Sequence, residues 1–184
     1  MKFFFIHSTG GDPDECWYPW LKEELESLGH EVVIPMFPTP EGQTLNNWMK
    51  AFKPYKETID EKTVFVGRSI GPVFILRILE SIDVKVRACF LVAGFVSDLK
   101  MPEFDEYVNS FIKKPYNWDK IKTNCKEFII YHADNDPIVS LKHGEEMAEK
   151  IGVKPIIIPE AGHFNTGTEY FLKFPEILER IKEL

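Results

Sequence analysis

The run Lys62-Thr63-Val64-Phe65-Val66 leads into Gly67-Arg68-Ser69-Ile70-Gly71, and that into Pro72-Val73-Phe74-Ile75-Leu76-Arg77-Ile78-Leu79-Glu80. The first run is short, apolar and β-branched, so it reads as a buried strand. The last is long enough for a helix, with Pro72 tolerated in its first turn. A serine between them must sit on a tight turn with a strained backbone, its hydroxyl projecting above the edge of a sheet. The two glycines follow from the same geometry, because a Cβ at 67 or 71 would collide with neighbouring backbone.

The rest of the chain repeats this strand-then-helix alternation. Lys2 to Ile6 reads as the first strand and Glu15 to Leu28 as a helix, with Trp17, Leu21, Leu25 and Leu28 on one face and Gly29 as its stop. Glu31 to Ile34 is the second strand. A helix over Leu45 to Ile59 is expected to break or kink at Pro54. Strand four lies in Val86 to Val92, strand five in Glu127 to Tyr131 and strand six in Lys154 to Ile158. Leu141 to Ile151 reads as a helix capped by Ser140 and stopped by Gly152, and a last helix starts at Pro175. Residues 93–125 show no clean periodicity. Apolar strands alternating with amphipathic helices give a parallel sheet covered on both faces, with active groups at the carboxyl ends of the strands.

Composition excludes several classes. The chain has 184 residues, which favours a single domain over 1–184. Its net charge of −7 argues against nucleic-acid binding through a basic surface. Phe3 to Ile6 is too short for a signal peptide or a membrane span, and no other stretch is long and apolar enough, so no membrane partner is expected and the expected compartment is cytoplasmic. Cys16, Cys89 and Cys125 are widely spaced, which speaks against a disulfide framework or structural zinc. No histidine pair has metal-ligand spacing. In Asp12-Pro13-Asp14-Glu15 the simplest reading is that Asp14 caps the first helix. No metal and no cofactor are expected. Nothing in the sequence sets an oligomeric state.

The chemistry gathers in three loops. Strand five leads to His132-Ala133-Asp134-Asn135-Asp136-Pro137, and strand six to Glu160-Ala161-Gly162-His163-Phe164. Ser69 is too weak a nucleophile unaided and needs a base. His163 would take its proton and pass it to a leaving group, and Asp136 would hold the imidazole in the right tautomer. Asp134 and Asp98 are the rival acids; the choice depends on which one meets His163 in space. A developing oxyanion needs fixed donors: the Ile70 N–H at the start of its helix, and a second from the loop after strand one, Thr9 N–H ahead of Ser8.

With these residues in place, the chain resembles the small single-domain serine hydrolases grouped with the retinoblastoma-binding protein and its bacterial relatives. The likeness lies in Trp17-Tyr18-Pro19-Trp20-Leu21-Lys22-Glu23-Glu24-Leu25, Gly67 to Gly71, Ser97-Asp98-Leu99, Tyr116-Asn117-Trp118-Asp119-Lys120-Ile121-Lys122, Asp136-Pro137 and Gly162-His163-Phe164. It implies a three-layer α/β/α architecture: a minimal α/β-hydrolase fold with a six-stranded parallel sheet, order 2-1-3-4-5-6, and no large lid. It also implies Ser69, Asp136 and His163 as a triad. Two positions depart from the family pattern: Arg68 stands where histidine usually precedes the serine, and Ser8 where glycine often follows the first histidine. An Arg68 facing the cleft would attract an acidic substrate; one turned away would change little.

The aromatic residues of 93–125 are candidates for the rim of a pocket, and Phe95, Trp118 and Phe164 are candidate pocket residues, although aromatic side chains more often serve packing. The expected activity is metal-independent cleavage of a small ester, thioester or amide through an acyl-Ser69 intermediate. Two alternatives stay open: an amidase or aminopeptidase using the same triad, and a protein-interaction module on a hydrolase fold.

Overall fold

The structure, a computed structural model, describes residues 1–165 and 172–184. Its strands are β1 (Lys2–Ile6), β2 (Glu31–Val33), β3 (Thr63–Arg68), β4 (Ala88–Val92), β5 (Phe128–Ala133) and β6 (Ile156–Ile158). Its helices are α1 (Tyr18–Ser27), α2 (Leu45–Lys56), α3 (Ile70–Ser81), α4 (Pro102–Ile112), α5 (Trp118–Thr123), α6 (Leu141–Ile151) and α7 (Pro175–Lys182). The strands form one parallel sheet in the order β2-β1-β3-β4-β5-β6.

Strand alternation divides the core in two. Phe3 and Phe5 of β1, with Val64 and Val66 of β3, face α1 and α7, where Trp17, Leu21, Leu25, Ile177 and Ile181 are buried. Phe4 and Ile6, with Phe65, face the opposite layer of Trp48, Phe52, Phe74 and Leu76 from α2 and α3. Successive side chains point to opposite faces of a strand, so both faces of a central strand must be apolar. That is why residues 3–6 of β1, residues 64–66 of β3 and all of β4 are unbroken apolar runs. Helix α3 is buried along almost its whole length, and it follows the serine turn directly.

Several boundaries differ from the sequence reading. Helix α1 starts at Tyr18, not Glu15, and Asp14 does not cap it: the Asp12 carboxylate accepts the Asp14 N–H at 2.8 Å, closing a turn in the loop. Pro54 lies inside α2 without ending it; the helix runs on for two residues, to Lys56. Ser140 precedes α6 but its side chain makes no cap bond, whereas Gly152 takes the left-handed conformation expected of a stop. The 93–125 segment contains two helices. In α4 the signal was Phe104, Val108 and Phe111 at helical spacing behind Pro102. Helix α5 has only six residues, too few for a period to emerge.

Candidate active site

Ser69, Asp136 and His163 follow the carboxyl ends of β3, β5 and β6. Ser69 joins β3 to α3 with φ 61° and ψ −110°, a backbone that L-residues adopt only under constraint. Its N–H donates to Val92 O on β4 at 2.9 Å, which pins the turn to the neighbouring strand. A Cβ on Gly71 would lie 2.4 Å from the Ile6 carbonyl oxygen, and one on Gly67 would lie 2.8 Å from the Gly71 carbonyl carbon. Both glycines are therefore dictated by the close approach of backbone, as the sequence suggested.

The acid and histidine loops interlock. Asp134 accepts the Glu160 N–H at 2.9 Å, and Asn135 Oδ1 accepts the Gly162 N–H at 2.8 Å. Two neighbouring side chains thus clamp the loop that carries His163. Asp134, a rival for the acid, bonds the backbone of the facing loop. Asp136 turns inward. Its Oδ1 accepts the N–H groups of Ile138 and Val139 at 2.8 and 2.9 Å, and its Oδ2 lies 2.8 Å from His163 Nδ1. The Asp136 side chain is fully buried and His163 nearly so. With one oxygen saturated by backbone donors, the other is fixed on the imidazole, which must carry its proton on Nδ1 to make this bond. Asp98 is used locally, accepting the Lys100 N–H at 2.7 Å.

Ser69 and His163 line one cavity of about 140 Å³, together with Ser8, Thr9, Arg68 and Asn165 on its polar side. Ile70, Phe95, Leu99, Phe104, Val108 and Ile138 make the rest of the wall. Of the candidate pocket residues, Phe95 is in this wall. Trp118 is not: it opens α5 and pairs with Tyr116, ring centroids 4.9 Å apart. Tyr116 in turn covers the buried Arg77, whose guanidinium carbon lies 3.6 Å from the ring centroid. Phe164 is also outside the cavity. It is fully buried in the α1/α7 layer, 5.4 Å from Phe174. A residue next to His163 in sequence is carried to the other side of the sheet edge, because the loop must turn its histidine into the cleft. Leu99, Phe104, Val108 and Ile138 complete the wall, and helical spacing in α4 was the signal that could have found two of them.

Arg68 turns away from any charge-seeking role. Its Nη2 donates to Ser8 Oγ at 2.7 Å and to Glu15 Oε2 at 3.0 Å, and its Nη1 donates to the His163 carbonyl at 3.2 Å. Burial opposes the charge on Arg68, but its neighbours Glu15, Cys16 and Tyr18, with Glu15 foremost, together more than offset this, so its pKa lies above the ordinary guanidinium value. Glu15 lies ahead of α1 and is the buried counterion of the residue preceding Ser69.

Two other histidines are structural. His7 Nδ1 donates to Ser8 O at 2.9 Å while its Nε2 accepts the Phe37 N–H at 3.0 Å. That pattern needs the neutral ring, and burial lowers the His7 pKa. His132 donates from Nε2 to Val139 O at 2.7 Å, and burial lowers its pKa too. Among the described residues there is no group of three or more His, Cys, Asp or Glu side chains that could hold a metal ion. No helix among them is long and apolar enough to cross a membrane.

Residues 3–183 match the family model described as "Serine hydrolase". The chain belongs to the serine hydrolase family. A relative in this sense is the serine hydrolase RBBP9 of Rattus norvegicus, 30% identical over 180 residues, covering 95% of this chain and 90% of that protein. YdeN of Bacillus subtilis is 26% identical over 165 residues, covering 89% of this chain and 85% of YdeN. The crystal structure of the B. subtilis ydeN gene product superposes with a TM-score of 0.91 over 99% of this chain and 97% of that one. A more distant likeness, of fold alone, is Est1E of Butyrivibrio proteoclasticus with bound ferulic acid: TM-score 0.73, 18% identity, 99% of this chain and 86% of that one. This serine hydrolase therefore shares its α/β-hydrolase architecture with proteins spread well beyond its nearest sequence neighbourhood.

Proposed function

We propose that the protein hydrolyses a small ester or thioester, or a small amide, through an acyl-enzyme formed on Ser69. The observation that carries this reading is the 2.8 Å contact of His163 Nδ1 with the buried Asp136, on an imidazole that shares its cavity with Ser69. With the Nδ1 proton committed to Asp136, Nε2 is the basic nitrogen. It takes the hydroxyl proton as Ser69 Oγ bonds to the substrate carbonyl carbon. The carbonyl oxygen becomes an oxyanion and draws on the N–H groups of Ile70 and Thr9. Ile70 begins α3, where the N–H dipoles of a helix are unpaired. No described residue accepts from the Thr9 N–H, whereas the Ser8 N–H is taken by Glu15 at 2.9 Å. His163 then gives the proton to the departing alcohol, thiol or amine as its bond to carbon breaks. Water, deprotonated by the same imidazole, attacks the acyl carbon; the bond from that carbon to Ser69 Oγ breaks, and the imidazolium returns its proton to Oγ, releasing the acid.

The cavity supports a small substrate. A space near 150 Å³ in a protein core accommodates about one benzene ring, and this cavity is of about 140 Å³ with a largely apolar far wall. An acyl group of about six or seven heavy atoms would fill it. Among the described residues that line the cavity, the guanidinium of Arg68 is paired with Glu15, which favours an uncharged group over an acidic one.

A fluorophosphonate probe should label the wild-type protein at Ser69, and Ser69→Ala should lose both the label and turnover of short p-nitrophenyl esters. Labelling that persists in Ser69→Ala rejects Ser69 as the nucleophile. A wild-type protein that takes up no label and turns over no ester rejects the reading as a whole.

A further inference from the structure

The acidic run Asp12-Pro13-Asp14-Glu15 ends on a carboxylate that grips the loop after β1 and pairs with Arg68. Glu15 Oε1 accepts the Ser8 N–H at 2.9 Å, and Oε2 accepts the Ser8 hydroxyl at 2.6 Å. A hydroxyl has one proton, so Ser8 Oγ gives it to Glu15 and accepts from Arg68 Nη2 at 2.7 Å. The Ser8 carbonyl is occupied as well, by His7 Nδ1 at 2.9 Å and the Gly11 N–H at 3.1 Å. Every polar atom of Ser8 is thus held by protein. The Thr9 side chain is fixed too, its Oγ1 accepting Gln43 Nε2 at 2.8 Å. What the loop leaves for a ligand is the Thr9 N–H, on a residue that lines the cavity.

We infer that Glu15, braced by Arg68, is a positioning residue that commits the Ser8 N–H elsewhere and so sets the Thr9 N–H as the second donor to the reacting carbonyl oxygen. The inference rests on the acyl-Ser69 reading above. An oxyanion donor helps only if it is aimed before charge develops, and a short loop ending a strand does not hold its aim unaided. The carboxylate supplies a two-point grip on the loop's first residue. Arg68 extends the same grip to the histidine loop through the His163 carbonyl, at 3.2 Å. One ion pair thereby ties the nucleophile strand, the donor loop and the histidine loop into a single unit. The arginine that departs from the family pattern and the serine that departs with it are partners in this arrangement.

Gly11 makes the inference testable without removing a charge. A Cβ there would lie 2.1 Å from Glu15 Oε2 and 2.8 Å from Ser8 Oγ, and the residue has no left-handed φ to strain an alanine. Gly11→Ala therefore crowds the Glu15 carboxylate and the Ser8 hydroxyl out of their contact while both charged residues remain in the chain. The experiment measures kcat and KM on p-nitrophenyl acetate for wild type, Glu15→Gln and Gly11→Ala, with a melting curve for each. Loss of a donor's aim acts on transition-state charge, so kcat should fall by about fivefold or more, below the roughly hundredfold or greater cost of losing a donor outright, while KM stays within about threefold. If Glu15→Gln does not fold, Gly11→Ala decides. A Gly11→Ala kcat within about fivefold of wild type overturns the inference, and so does a fall that appears only as a higher KM. Both results require a wild-type enzyme labelled at Ser69; an unlabelled, inactive wild type would overturn the underlying reading instead.

Discussion

Replacing Asp136 by asparagine changes one atom and separates holding the fold from orienting the imidazole. The carboxylate performs both tasks. Its Oδ1 accepts the Ile138 and Val139 N–H groups, and its Oδ2 faces His163 Nδ1 at 2.8 Å. In Asp136→Asn the amide oxygen can keep the two backbone donors, so the loop stays satisfied. The amide NH2 then faces Nδ1 and donates where a carboxylate accepted. The ring must give up its Nδ1 proton and carry it on Nε2, where it blocks acceptance of the Ser69 proton. The same change of tautomer in a serine-protease triad costs about 10⁴ in kcat, or about 5 kcal/mol of transition-state stabilisation. Asp136→Ala behaves differently, because it also orphans two backbone N–H groups, each worth about 1–3 kcal/mol when buried. For a chain of this size, about 1 kcal/mol moves Tm by roughly 2–4 °C. The expected pattern is therefore a fall of about 10⁴ in p-nitrophenyl acetate hydrolysis for both variants. Tm by circular dichroism should be nearly unchanged in Asp136→Asn and clearly lower in Asp136→Ala. An Asp136→Asn enzyme keeping more than about a tenth of wild-type kcat would refute the argument, since the imidazole would then work without its tautomer being set.

Gly144 lies in the middle of α6, where alanine is ordinarily favoured by about 1 kcal/mol. Here a Cβ would sit 2.3 Å from His132 Nδ1, on a ring fixed by Val139 O, so Gly144→Ala should lower the urea midpoint; a raised midpoint would show that the ring can move aside. The buried neutral rings of His7 and His132 also set a direction with pH. Their folded pKa values are depressed below the ordinary 6.5, so the unfolded chain binds protons first as pH falls, and their contribution is complete above about 6.5 and lost through the lower folded values. Urea midpoints should drop between pH 7.5 and 5.5, and the drop should be shallower in His132→Gln; an equal drop in that variant would clear His132 of the effect.

The parts of this protein readable from sequence are those whose physical cause is local. The serine turn is over-determined within five residues, because backbone approaching at 2.4 Å from Ile6 admits only glycine at 71. The sheet is equally legible, since the central residues of β1, β3 and β4 are buried on both faces and so must be apolar. The site itself was decided across loops. Asp134, Asn135 and Asp136 are adjacent carboxyl and amide groups, yet only packing against the 160–163 loop sends the first two to its backbone and the third to its imidazole. Trp118 and Phe164 look like pocket aromatics in one dimension and are drawn into Tyr116 and Phe174 in three. Arg68 reads as a bare charge beside a nucleophile until Glu15, far from it along the chain, is brought to 3.0 Å by the first loop. Sterics within a turn and the alternation of strand faces are properties of neighbouring residues, so sequence determines them. The partner of a hydrogen-bonding group depends on which loop the sheet brings next to it, and only the tertiary structure makes that choice.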